Sequence, residues 1–144
     1  MGTRSTIALE FADLTVQAVY CHWDGYVSNN GRILSQHWSD PFKLQTLIDQ
    51  GNLSSLGTEL GESHEFDKSF PIGSPEHDWC KFYARDRGET DHLQAHEFSS
   101  WDSYCVTYDG EQYDYCLRRD GTWWVRTADG VHMPLADVLL TEHE

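Results

Sequence analysis

A chain of 144 residues with 24 Asp and Glu against 10 Lys and Arg carries a formal net charge of −14. That balance repels phosphate backbones and argues against direct nucleic-acid binding. The 39% hydrophobic and 13% aromatic content argues against a disordered chain, and no apolar run approaches the roughly 18 residues of a membrane helix.

Length predicts a single domain over residues 1–144. The polar start MGTRSTIALE lacks the apolar core of a signal peptide, so a cytoplasmic location is expected. Ile7, Leu9 and Phe11 alternate with polar or small residues, a strand signature, and Val16, Ala18 and Tyr20 resume it after the turn Ala12–Thr15. This predicts an N-terminal hairpin whose second strand ends in "VYCHWDGY", residues 19–26, with Asp24-Gly25 terminating it. Within that stretch Cys21 and Trp23 are expected to be structural, with Tyr20 and His22 on the other face.

Two helices follow. Asn29 or Asn30 is placed to cap the first, over 29–39, with Ile33, Leu34, His37 and Trp38 on one face. Asp40-Pro41 opens the second, over 41–50, and Gly51 stops it. The Gly-, Pro- and acid-rich segment 51–78 reads as a long loop. Trp79–Ala84 is predicted as a short strand and Phe98–Cys105 as a short helix beginning near Ser99 or Ser100. Asp109-Gly110, Asp120-Gly121 and Asp129-Gly130 recur about ten residues apart, which predicts an antiparallel meander. Pro134 is placed to start a terminal helix. The expected fold is therefore α+β: an antiparallel sheet of the hairpin, the strand at Trp79–Ala84 and the meander, with the two main helices packed on one face.

The chemical motifs are sparse. Cys21, Cys80, Cys105 and Cys116 form no CxxC pair and read as reduced, mostly buried thiols. His77 and Cys80 have an i, i+3 spacing that a ligand such as Cys21 could complete. Zinc sites ordinarily show two spaced pairs, so no metal and no cofactor is expected. His92 and His96 lack the Glu that follows the first His of a zincin helix. No nucleophile elbow, P-loop or dinucleotide fingerprint occurs, which favours a binding role over catalysis.

Arginine is scarce and therefore informative. In "YARDRGE" Arg85 and Arg87 flank Asp86, and on a strand they would share one face as a fork for phosphate or carboxylate. The competing reading is that Asp86 and neighbouring acids simply pair them. Trp123-Trp124 places one ring toward the core and the other on the opposite side of a strand.

"TRSTIALE", "VYCHWDGY", "NNGRIL" followed by His37, "LSSLG" and "YARDRGE" together resemble a widespread family of small proteins found in bacteriophages, prophages and bacterial genomes. The resemblance covers roughly residues 3–90. It implies a genomic setting rather than a mechanism, because the family carries no established biochemical activity.

Two functional expectations result. In the first, the protein is a small acidic accessory factor of a phage or mobile element, acting in the host cytoplasm. It would bind a basic surface on a host protein and modulate or inhibit it, as an anti-defence factor or nucleic-acid mimic, without contacting nucleic acid or membrane itself. Residues 1–58 hold five acids and three bases, 59–97 ten and four, and 98–144 nine and three, giving −2, −6 and −6. Glu59, Glu62, Glu65 and Asp67 are accordingly the candidate interaction residues. In the second, a small nucleotide-like ligand is bound or processed in a pocket lined by His22, Asp24, Tyr26, Arg32, His37, Arg85 and Arg87. An oligomeric state is not legible in the sequence.

Overall fold

The computed structural model describes residues 3–68, 70–89, 91, 95–107 and 110–142. Strands β1 (Ser5–Glu10) and β2 (Val16–Cys21) form the expected hairpin, in register from Ser5↔Cys21 to Glu10↔Val16. Its turn is closed by Phe11 N–H to Thr15 C=O at 2.8 Å, and Asp13 accepts from the Thr15 amide and hydroxyl at 3.1 and 2.6 Å. A π-helical turn (Val27–Gly31) leads into α1 (Arg32–His37), and α2 (Pro41–Ile48) follows. Asp40 caps α2 by accepting the Phe42 N–H at 2.9 Å, and Gly51 ends that segment at φ 84°.

Next come β3 (Leu53–Ser55), a 3-10 turn (Pro75–Asp78), β4 (Lys81–Phe82) and α3 (Tyr83–Arg87). The chain continues through β5 (His96–Phe98), α4 (Trp101–Thr107), β6 (Tyr113–Leu117), β7 (Trp123–Thr127), β8 (His132–Pro134) and α5 (Leu135–Glu142). Ser100 Oγ accepts the Ser103 N–H at 2.9 Å, at the start of α4. The turns at Asp120-Gly121 and Asp129-Gly130 connect β6, β7 and β8 into an antiparallel meander. Asp109 of the first Asp-Gly pair, and His92, lie outside the described residues.

The protein is α+β, but its sheet is mixed rather than antiparallel. The strand order is β4-β3-β2-β1-β6-β7-β8, with β5 also on β2. β1 runs parallel to β6, from Ser5↔Tyr113 to Leu9↔Leu117, and β2 runs parallel to β3 at Cys21↔Leu53. The cause lies in β1, whose six residues are all buried. Ile7 and Leu9 join a large apolar cluster with Val19, Leu34, Leu44, Leu47, Ile48, Tyr115 and Leu135. Ala8, between them, joins a second cluster with Val16, Ala18, Trp101 and Tyr104. A strand covered on both faces and both edges is a central strand, and the meander supplies its second neighbour.

Three local expectations are also corrected. Trp79–Ala84 contributes only the two residues of β4, because Tyr83 begins a helix: Asp86 reaches back to accept the Phe82 N–H at 2.8 Å, and Gly88 closes the turn at φ 77°. Asn29 and Asn30 do not cap α1. Asn30 is buried, and its amide donates to Ser5 Oγ at 3.2 Å and Trp23 C=O at 3.4 Å, so a tertiary polar contact claims it. Trp23 is 44% exposed rather than structural like Cys21. The β2 alternation ends at Cys21, after which the His22 and Trp23 amides bond the Leu53 and Ser54 carbonyls.

Candidate functional site

The corner after β2 gathers His22, Asp24 and Tyr26. Tyr20 OH and His22 Nδ1 are 2.6 Å apart, and the His22 ring meets Trp23 edge-on with centroids at 4.7 Å. Asp24 holds a left-handed conformation at φ 57°, and its carbonyl accepts from the Asn30 amide at 3.3 Å and Asn29 Nδ2 at 3.2 Å. Beneath this corner Cys21 is fully buried, and burial pushes its thiol up to about 12, as it does for Cys80. Such thiols are packing groups rather than nucleophiles. Among the described residues no group of three or more His, Cys, Asp or Glu is arranged to hold a metal ion.

Arg32 and His37 stand along α1, where Arg32 Nε donates to the Ser28 carbonyl at 3.2 Å and the His37 carbonyl accepts Lys43 Nζ at 2.8 Å. Arg85 and Arg87 sit on α3. No hydrogen bond or ion pair joins these two arginines to His22, Asp24 or Tyr26 among the described residues.

Arg85 is an internal clamp. A guanidinium has five N–H donors, and here all five are used. Nε donates to Asp86 Oδ1 at 2.9 Å and Nη2 to Asp86 Oδ2 at 3.2 Å and the Cys80 carbonyl at 3.0 Å. Nη1 donates to the Leu60 and Gly61 carbonyls at 2.9 and 3.1 Å. The side chains are only 12% and 0% exposed for Arg85 and Asp86. Arg87 is exposed, pairs with Glu89, and lies over the rings of Phe66 and Tyr83 at 4.5 and 4.9 Å.

The clamp fixes the backbone of the acidic segment. Leu60 and Gly61 are held by Arg85, and the His64 N–H bonds Asp86 Oδ1 at 3.2 Å. The His64 side chain, 8% exposed, packs against Trp79 and Phe70 with centroids at 5.6 and 5.4 Å. Glu59 forms a bridge with Trp79 through the Glu59 N–H to Asp78 and the Cys80 N–H to Glu59, at 3.1 and 2.9 Å. Glu59, Glu62, Glu65 and Asp67 all project to solvent from this anchored backbone. No Lys or Arg occurs between residues 59 and 67.

Two further acids are buried against arginine. Glu10 Oε1 accepts from Arg118 Nε at 3.1 Å and Asp114 Oδ2 from Arg126 Nη2 at 3.1 Å. Asp114 Oδ1 also accepts from Tyr104 OH at 2.7 Å and the Glu111 amide at 3.1 Å. The reading in which Asp86 pairs its neighbouring arginine is what Arg85 shows, whereas sequence reasoning missed Asp114, since no local pattern marks an acid that binds residues distant in the chain.

Four cavities of about 890, 230, 380 and 550 Å³ are lined by none of the seven candidate ligand residues. No helix among the described residues is long and apolar enough to cross a membrane. Comparison with protein-family models, curated proteins and solved structures gives no match.

Proposed function

We propose that this protein acts by binding: Glu59, Glu62, Glu65 and Asp67 form an acidic face that docks on a basic surface of a host protein and modulates or inhibits it. The carrying observation is that four exposed acids stand on a backbone pinned by Arg85, Asp86 and His64. Charges held in fixed positions steer encounter and lose less entropy on docking than charges on a floppy segment. The resemblance to phage and prophage proteins supplies the setting, an accessory protein in the host cytoplasm, where anti-defence action or mimicry of nucleic-acid charge follows from the same face. The rival reading, a nucleotide-like ligand held by an arginine fork, loses Arg85, whose donors are all occupied inside the protein.

The test is capture of host proteins by the wild type and by the variant with Glu59, Glu62, Glu65→Gln and Asp67→Asn, at low and near-physiological salt. Each exposed charge contributes up to about 1 kcal/mol, so the combined variant should bind its partner more weakly and with a flatter salt dependence. Circular dichroism should show an unchanged fold. Unchanged capture and salt slope, together with loss of capture in His22→Ala or Arg87→Ala, would overturn the proposal.

A further inference from the structure

The cavity of about 230 Å³ lies over β1 and β2, bounded by β5, α4 and the start of β6. Its walls include Tyr20, Phe98 and Tyr104, and His96 and Glu111 also line it. Phe98 and Tyr104 meet edge to face at 4.8 Å, and Thr6 Oγ1 and Tyr104 OH are 3.3 Å apart, so these walls are braced.

Glu111 is placed there by its backbone. Its amide bonds the buried Asp114 at 3.1 Å, and the preceding Gly110 turns at φ 70°. A Cβ on Gly110 would stand 2.3 Å from Asp114 Oδ2 and 2.4 Å from Arg126 Nη2, so a side chain there would push this ion pair aside, and the left-handed backbone itself favours glycine. The Glu111 carboxylate itself makes no hydrogen bond or ion pair among the described residues. Its affinity for a proton is raised by burial and by the negative charge of Asp114, with Arg4 opposing at longer range. Among the described residues the anion therefore has no ion-paired cation, with Arg4 acting on it from a distance and His96 lining the same cavity. A carboxylate beside aromatic faces is the arrangement that holds an organic cation, through charge and cation–π attraction together.

We propose that this cavity binds an alkylammonium group, with Glu111 as its counter-ion and Tyr20, Phe98 and Tyr104 around its alkyl body. Both a free small amine and the side chain of a lysine present that chemistry. The inference stands on residues other than the acidic segment and does not depend on how that segment is used.

The test uses the full chain, with amide chemical shifts followed during titration by n-butylammonium, by Nα-acetyl-lysine methylamide and by neutral 1-pentanol. Saturable shifts at Tyr20, Tyr104 and Glu111 with the ammonium probes, weakened about tenfold or more in Glu111→Gln, are expected, since that variant removes the counter-ion of a charge-assisted contact. Asp49→Asn, which removes one charge at the end of α2, should leave the affinity unchanged. Binding by butylammonium alone assigns the site to small amines, and binding by both ammonium probes extends it to lysine side chains. If 1-pentanol binds as tightly as butylammonium, if Glu111→Gln has no effect, or if no saturable shift appears at these residues, the proposal is overturned.

Discussion

Arg85→Ala tests whether the arginine is a clamp or a ligand contact. The substitution would leave the Asp86 carboxylate, fully buried, without its cation, and would take donors from the carbonyls of Leu60, Gly61 and Cys80. Breaking a buried ion pair by deleting one partner costs about 3–5 kcal/mol, and the freed carbonyls share in that loss rather than adding fully to it. Against a total stability of about 5–15 kcal/mol this is a large fraction, and at about 2–4 °C per kcal/mol it lowers Tm by roughly 10 °C. Urea unfolding of Arg85→Ala, Asp86→Asn and the double variant completes the measurement. The double variant should lose less than the sum of the singles, with a coupling of about 2–3 kcal/mol. Arg85→Lys should fall between, because an ammonium keeps the charge but cannot serve both Asp86 oxygens and three carbonyls. A loss below about 1 kcal/mol in Arg85→Ala, the size of an exposed pair, would refute the clamp and return Arg85 to the ligand candidates.

Gly57→Ala places a Cβ 2.1 Å from the Asp78 carbonyl oxygen, so the backbone must shift and thermal unfolding should show a loss of about 1–3 kcal/mol. Cys21→Ser exchanges a fully buried thiol for a hydroxyl, which should cost about 1–3 kcal/mol without changing metal content; stoichiometric zinc in the wild type, lost in the variant, would contradict this. Native Cys21 and Cys80, with thiols pushed up to about 12, should resist alkylation near neutral pH and react once the protein is unfolded. Glu111→Gln should raise Tm near neutral pH. A carboxyl whose folded pKa lies above its unfolded value binds more protons when folded, so it costs stability as pH rises from about 4.5 through the raised value; the advantage of Gln should vanish below that window.

Local chemistry was legible and long-range pairing was not. The hairpin, the Asp40-Pro41 cap, the stop at Gly51 and the later Asp-Gly turns each depend on residues within a few positions of one another. β1 beside β6 depends on residues over a hundred positions apart, and Ala8, one of the small residues between the apolar positions of β1, packs in a second cluster with Trp101 and Tyr104. "YARDRGE" shows the cost of a wrong element. On a strand, residues i and i+2 share a face; on a helix they stand about 200° apart. Arg85 accordingly points inward to Asp86 while Arg87 lies outside with Glu89. Of the candidate site residues, the four acids are exposed and the arginine fork is divided.

The acids of this chain can be sorted by what neutralises them. Asp86, Asp114 and Glu10 have side chains 0%, 1% and 2% exposed, and each meets an arginine: Arg85, Arg126 and Arg118. A buried carboxylate without a cation costs several kcal/mol, and three of the seven arginines are committed to these buried acids. Glu59, Glu62, Glu65 and Asp67 need no such partner, because water solvates them. In the proposed complex their attraction to a basic surface would be the sum of many weak contacts and would decline with salt. Glu111 belongs to neither group: it is half-buried, placed by Asp114 and Gly110, and among the described residues no arginine stands within ion-pair distance of it. On the proposal above, a cation from outside the chain would play the part that arginine plays for the three buried acids, and the aromatic walls beside Glu111 favour an organic cation over a hydrated metal ion.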